Sequence, residues 1–335
     1  MINPQAQLNP KIFDKDVEQL PIRKGFGEGL VVAADTDPKV VGLCADLTDS
    51  TMMGAFAKKY PERFVEMGIG EQSMASVASG MAAMGKIPFI TSYAMFSPGR
   101  NWEQIRTTIC YNDRPVKIAG SHAGISVGPD GGTHQAIEDI AITRVIPRMV
   151  VISPCDAIEA RKATMAAAKT NSPTYIRLAR EKTPIITTNA TPFEIGRAQV
   201  FFDGSLGNAI PKCDVGIIAT GALVHKALVV AQEAAKNGVK VKVLNMHTIK
   251  PLDESAILAL AQETGAIVTV EEHQIRGGLG SAVAECLAAH FPVPIEFIGV
   301  NDLFGQSGKP EELLELYGMG ESHIKAAVKR VMLRK

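Results

Sequence analysis

The chain of 335 residues predicts an α/β protein of two tandem domains with mainly parallel sheets. Three observations carry this. From about Ile22 onward, short β-branched runs alternate with longer stretches of helical period. The runs are nearly all apolar, as expected of strands covered on both faces. The alternation breaks after Arg180 into a stretch rich in Thr, Pro, Gly and Asn, then resumes near Val215.

Taken in order, residues 1–20 read as an N-terminal arm and 21–183 as the first domain. The runs VVGLCAD, IPFITSYA, PVKIAGSH, MVVISP and PTYIRLA read as its strands. QSMASVASGMAAMG, NWEQIRTTICYN and DAIEARKATMAAAKT read as its helices. The last opens with Asp156 and places Glu159 three residues on, a capping-box-like start. Residues 184–211 read as a linker and 212–335 as the second domain. There VGIIATG, KVKVLNM, AIVTVEE and IEFIGV read as strands, with ALVHKALVVAQEAAKNG, DESAILALAQETG and GLGSAVAECLAAHF as helices.

Composition excludes several classes. Apolar residues make up 46% and charged residues 21%, which fits a soluble globular protein. Thirty-five basic residues balance 35 acidic ones, so bulk attraction to nucleic acid is not expected. Cys44, Cys110, Cys155, Cys213 and Cys286 form no CxxC pair, which suggests neither a disulfide framework nor a zinc site and fits a reducing cytoplasm. No signal peptide and no apolar run long enough for a membrane span is read.

In open parallel sheets ligands bind outside the carboxyl ends of the strands, which directs attention to the loops after them. SHAGISVGPDGGTHQ, residues 121–135, is the richest, combining His122, Asp130, Thr133 and His134 with close-set glycines. Two histidines and an aspartate could hold a metal, but the glycine-dense spacing and missing helix register favour a substrate loop. The plainer roles are that His122 ends a strand, His134 starts a helix and Asp130 shapes a turn.

Glu71 stands in FVEMGIGEQSMAS after Gly68 and Gly70, ahead of small residues. Taken alone, it is a glutamate in the first helical turn facing the positive end of the macrodipole. The glycines admit a ligand and the small residues admit a close-packed neighbour, so a buried carboxylate suited to proton transfer is the sharper reading. Glu66 has no comparable setting. Tyr93 and Phe96 follow a strand; core packing and a stacking surface for a flat ring both remain open. Arg23, Arg100, Arg177 and Arg180 are ordinarily solvated charges, but several converging with a serine such as Ser50 would make a phosphate site.

CADLTDS, GIGEQ, GPDGGTHQ and RLARE, in this order, resemble the pyrimidine-binding domain of the transketolase family of thiamine diphosphate enzymes. The region from Cys213 onward resembles the family's C-terminal domain. Family members hold the cofactor's diphosphate through Mg²⁺ bound by a GDG motif on a separate domain, and no GDG occurs here. The chain is therefore similar to the C-terminal half of a split transketolase.

The resemblance implies a transferase of the pentose phosphate pathway type, working with thiamine diphosphate and with Mg²⁺ whose ligands lie on an N-terminal partner subunit. No metal ligand is expected in this chain. It implies a heterotetramer, α2β2, acting on sugar phosphates. Glu71 would hydrogen-bond the aminopyrimidine and favour the tautomer that draws the proton from the thiazolium carbon. Tyr93 and Phe96 would pack on the pyrimidine, and Asp46 with Leu47 would line the cofactor cleft. Asp130 and His134 would bind donor hydroxyls, with His134 as proton donor or acceptor. Arg23, Ser50, His122 and Arg180 match positions that grip a sugar phosphate, while Arg177 and Arg100 stay outside that set. Gly132 stands where proline is common and Tyr93 where phenylalanine is frequent. EEHQIRGGLG, Glu271 to Gly280, reads as structural or interfacial, His273 included. Other readings are the β subunit of a 2-oxoacid dehydrogenase, a 1-deoxyxylulose 5-phosphate synthase-like enzyme, and a non-catalytic scaffold subunit.

Overall fold

The computed structural model describes residues 1–207 and 211–335. Its first sheet has seven strands in the order Thr248–Lys250, Val150–Ile152, Thr174–Arg177, Lys117–Ser121, Ile87–Tyr93, Val40–Cys44, Phe64–Glu66. All neighbours are parallel except Thr248–Lys250, which runs antiparallel to Val150–Ile152. The second sheet has five strands in the order Ile295–Val300, Ile267–Gln274, Val215–Ala219, Val241–Asn245, Gln199–Asp203, parallel but for the last. No helix among the described residues is long and apolar enough to cross a membrane.

Every strand predicted by an apolar run is present. Three further strands of these two sheets lie outside those runs. Phe64–Glu66 is too short to register as a pattern. Thr248–Lys250 follows the second domain's strand Val241–Asn245 yet closes the edge of the first sheet. Gln199–Asp203 lies within the stretch read as a linker, because Phe201 and Phe202 bury themselves while the surrounding Thr, Pro and Gly hide them from a pattern reading. Residues 208–210 of that stretch lie outside the described residues.

The N-terminal arm is tied down rather than free. Asn3 N donates to Phe201 O at 2.9 Å and Asn9 N to Ile186 O at 2.9 Å. Ala6, Leu8 and Ile12 join the second domain's core with Phe201, Val215 and Leu228. Gln19–Pro21 then pairs antiparallel with Lys182–Pro184, bringing the two ends of the first domain together.

Helix Ile22–Thr36, which matches no predicted element, carries three glycines that weaken its helical signature. Gly25 earns its place by packing: a Cβ there would lie 1.8 Å from the backbone oxygen of Ala157 on helix Ala157–Ala168. Asp156 caps that second helix, accepting from Glu159 N at 2.8 Å. The reciprocal bond of a capping box is shifted by one residue, since Glu159 accepts from Cys155 N at 2.7 Å. The predicted helix 101–112 starts at Trp102 and widens into a π-helical turn over Ile105–Tyr111. Helices Pro310–Leu316 and Glu321–Met332 close the chain beyond the elements read from sequence.

Candidate active site

Asp46, Glu71, Tyr93, His122 and Arg180 each end or follow one of five parallel strands, so all emerge at the same carboxyl edge of the first sheet. That shared edge is what turns separate sequence positions into one crevice.

Glu71 opens helix Glu71–Ala83 and is buried, with 2% of its surface exposed. One carboxylate oxygen, Oε2, accepts from Arg100 Nη1 at 2.8 Å. Among the described residues nothing hydrogen-bonds Oε1. The backbone below is pinned by Asn101, whose Nδ2 donates to Glu71 O and to Ser97 Oγ, both at 3.1 Å. The carboxylate thus sits where the helix dipole favours it, with one oxygen left for a ligand. Arg100, set aside in the sequence reading, is its partner; the two are 29 residues apart, and no local spacing signals the pair.

Beside Glu71 stands a set of rings. Tyr93 stacks on His122 with centroids 3.8 Å apart, and Phe96 lies 6.2 Å from Tyr93 at 17°. His134 meets Phe96 edge-on at 5.5 Å. Both Tyr93 and Phe96 are only partly buried.

The cations do converge. Arg23 donates through Nε to Arg180 O at 3.3 Å and through Nη1 to Ser50 O. Arg180 reaches Val127 O at 3.3 Å and pairs with Glu181. Burial first, then the facing charge of Arg180, lowers the Arg23 pKa. The same two arginines act on His122: burial first, then Arg23, Arg180 and His134, pushes its pKa down to about 3. Like charges gathered around an imidazole that cannot share them leave it neutral, and an anion would relieve the crowding. Ser50 contributes its carbonyl here.

His134 lies within 2.9 Å of Thr133 Oγ1 through Nδ1. Asp130, at the end of the short helical segment Ile125–Asp130, is exposed, and no side-chain partner joins it to the cluster among the described residues. Asp46 is exposed with φ of 56°, and Leu47 is half-buried against the first domain's core. Glu66 corrects the sequence reading. Its carboxylate accepts from Asp46 N at 2.7 Å, Gly68 N at 3.1 Å and Thr48 Oγ1 at 2.8 Å, so it holds both the Asp46 loop and the glycine turn before Glu71.

The second domain clamps the 121–135 loop from behind. Glu272 Oε1 accepts from Ser126 N at 2.6 Å, and Gln135 Nε2 donates to Gln306 O at 3.0 Å and Ile125 O at 2.9 Å. Gly132 has its reason here: a Cβ would lie 2.6 Å from Gly305 O, a backbone atom that cannot step aside. Glu271 accepts from Leu279 N and Gly280 N, both at 2.7 Å, capping helix Leu279–His290. The segment from Glu271 to Gly280 is therefore structural and interfacial, as read. His273 Nε2 accepts from Ala141 N at 3.3 Å and belongs to the same seam. Arg177 is buried against Asp139, away from the crevice's ligand-facing groups.

Whether this crevice suits thiamine diphosphate is tested by its donor set. A carboxylate with a free oxygen beside aromatic faces fits the flat, polar-edged pyrimidine end. Among the described residues no cluster of three His, Cys, Asp or Glu groups could hold a metal ion.

Residues 18–185 match the transketolase pyrimidine-binding domain, and residues 209–324 match the transketolase C-terminal domain. The chain is 44% identical to a putative transketolase C-terminal section of Methanocaldococcus jannaschii, covering 93% of this chain and 95% of that one. It is 38% identical to the 6-deoxy-6-sulfo-D-fructose transketolase subunit SqwH of Clostridium sp. strain MSTE9, over 96% and 98% of the two chains. A solved structure titled split gene transketolase, inactive beta4 tetramer, is 43% identical and superposes with a TM-score of 0.87, over 94% of this chain and 99% of that one. The chain belongs to the transketolase family and corresponds to its C-terminal section, a pyrimidine-binding domain followed by the transketolase C-terminal domain.

Proposed function

We propose that the chain is the pyrimidine-binding subunit of a two-component transketolase that moves a two-carbon ketol unit from a ketose phosphate to an aldose phosphate. The observation that carries this reading is Glu71, a buried carboxylate with one oxygen open to a crevice lined by Phe96 and Tyr93. Thiamine diphosphate, when bound, supplies the carbanion stabilisation that the protein's own side chains lack.

Glu71 would accept a hydrogen bond from the pyrimidine edge, Phe96 and Tyr93 would pack on the ring, and Asp46 and Leu47 would border the cleft. Arg23 and Arg180 bind the substrate phosphate, with Ser50 and His122 as neutral hydrogen-bonding neighbours. Asp130 and His134 meet the sugar hydroxyls, His134 exchanging a proton with them.

The Mg²⁺ ligands and the GDG motif belong to a second chain, and the working assembly is α2β2 in the cytoplasm. The subunit names of the relatives support a partner.

The test is co-expression with a GDG-bearing chain and assay of ketol transfer with added thiamine diphosphate and Mg²⁺. Turnover is expected only from the two chains together, and Glu71→Ala is expected to lower it by about 10²- to 10⁴-fold. Turnover by this chain alone would reject the two-component reading, and near-normal turnover of the variant would reject Glu71's role.

A further inference from the structure

The two surfaces that receive a pyrimidine in the reading above are both engaged by one side chain. Arg100 donates to Glu71 Oε2 at 2.8 Å, and its guanidinium carbon lies 4.8 Å from the centre of the Phe96 ring. A guanidinium is flat, donates hydrogen bonds along its edge and stacks on aromatic faces. An aminopyrimidine is flat, donates along its edge and stacks in the same way.

We propose that Arg100 is a stand-in for the cofactor's pyrimidine. In the cofactor-free chain it partners the Glu71 carboxylate and covers Phe96, and it withdraws as the pyrimidine enters. This rests on the function proposed above.

The need for a stand-in follows from burial. Glu71 is 2% exposed, and a buried carboxylate without a partner is costly, so it requires a donor whenever no ligand supplies one. The donor must also be able to leave. The Arg100 side chain is 47% exposed, and among the described residues it makes no hydrogen bond other than the one to Glu71. Its backbone is held: Arg100 N donates to Phe96 O at 3.0 Å, and the neighbouring Asn101 is anchored to Glu71 O and Ser97 Oγ. A fixed root with a half-solvated head is the arrangement of a side chain that swings.

Competition gives the sign of the effect. Removing the guanidinium removes a group that must be displaced, so the cofactor binds more tightly and enters faster. A half-exposed ion pair sets the scale at roughly three- to tenfold in Kd.

The experiment measures thiamine diphosphate binding with Mg²⁺ to the assembled two-chain complex by calorimetry and stopped-flow fluorescence. It compares wild type, Arg100→Met, Arg100→Gln, Glu71→Gln and the Arg100→Met/Glu71→Gln double variant. Both Arg100 variants are expected to bind roughly three- to tenfold more tightly with a faster on-rate, and the gain is expected to vanish in the Glu71→Gln background. Thermal melts report whether each variant is folded. A crystal structure of the wild-type complex with cofactor supplies the direct check: the guanidinium is expected to have left Glu71.

Unchanged or weaker binding in folded Arg100 variants, or a guanidinium still bonded to Glu71 beside the bound cofactor, overturns the proposal. Should wild type bind the cofactor and Glu71→Gln weaken it while the Arg100 variants change nothing, only the stand-in fails. A wild-type complex that binds no thiamine diphosphate overturns the functional reading and the stand-in with it.

Discussion

Two arginine–carboxylate pairs in this chain have the same 2.8 Å separation and opposite surroundings. Arg177 and Asp139 are 5% and 1% exposed, and the pair is tied into further hydrogen bonds on both sides. Asp139 also accepts from Tyr175 Oη at 2.6 Å, and Arg177 Nη2 donates to Glu272 O at 2.8 Å and Ala136 O at 3.3 Å. Arg100 and Glu71 have one bond between them, an exposed arginine and an open carboxylate oxygen. Distance alone does not separate a structural pair from a displaceable one; the completeness of the surrounding hydrogen bonds does.

The sharpest way to break this contrast is Asp139→Ala. It strands a buried guanidinium and a buried phenol, so unfolding by denaturant is expected to show a loss of about 3–5 kcal/mol. A loss near 1 kcal/mol would place this pair in the same class as the other. Next comes Gly132→Ala, which forces the 121–135 loop off Gly305. About 1–3 kcal/mol of stability is expected to go, with a raised KM for the sugar phosphate. Unchanged values would mean that the second domain does not set the loop's position.

A third prediction concerns a buried carboxyl that ties the two domains. Glu159 accepts from Asn245 Nδ2 at 2.7 Å, and burial first, then Asp156, raises its pKa from 4.5 to about 7. The folded state then holds a proton that the unfolded state releases between those values, so this group's stabilising effect is whole below pH 4.5 and is lost as pH rises through about 7. Comparing denaturation midpoints from pH 5 to pH 8, Glu159→Gln is expected to flatten this part of the decline. An identical slope in both proteins would reject the assignment.

The smallest effect is the most telling one. Glu71→Ala is expected to change folding stability by about 1 kcal/mol or less, because Arg100 falls back into water rather than being stranded. A cost rivalling that of Asp139→Ala would show that the two pairs differ less than their surroundings suggest.

Much of the crevice was legible beforehand because loops after parallel strands share one edge, and an apolar run reveals where each strand ends. Tyr93, His122 and Arg180 fall in such loops, whereas Glu71 follows a strand too short to register and is marked instead by the glycines before it. Arg100 stays outside the phosphate set implied by the resemblance, and nothing within a few residues of it points to Glu71. Glu66 was passed over because its partners are mainly backbone N–H groups, which leave no trace in side-chain patterning.

By itself, the sequence determined the alternation of strands and helices, the parallel sheets and the placement of Glu71 at a helix start. These follow from periodicity and local turn chemistry, which act over a few residues. Only the tertiary structure decided that Thr248–Lys250 joins the first sheet, that Gln199–Asp203 closes the second, that Glu272 and Gly305 support the loop of His134, and that Arg100 occupies Glu71. Those pairings join residues far apart in the chain. Their free energy depends on burial and on which polar groups remain unsatisfied once the chain has closed.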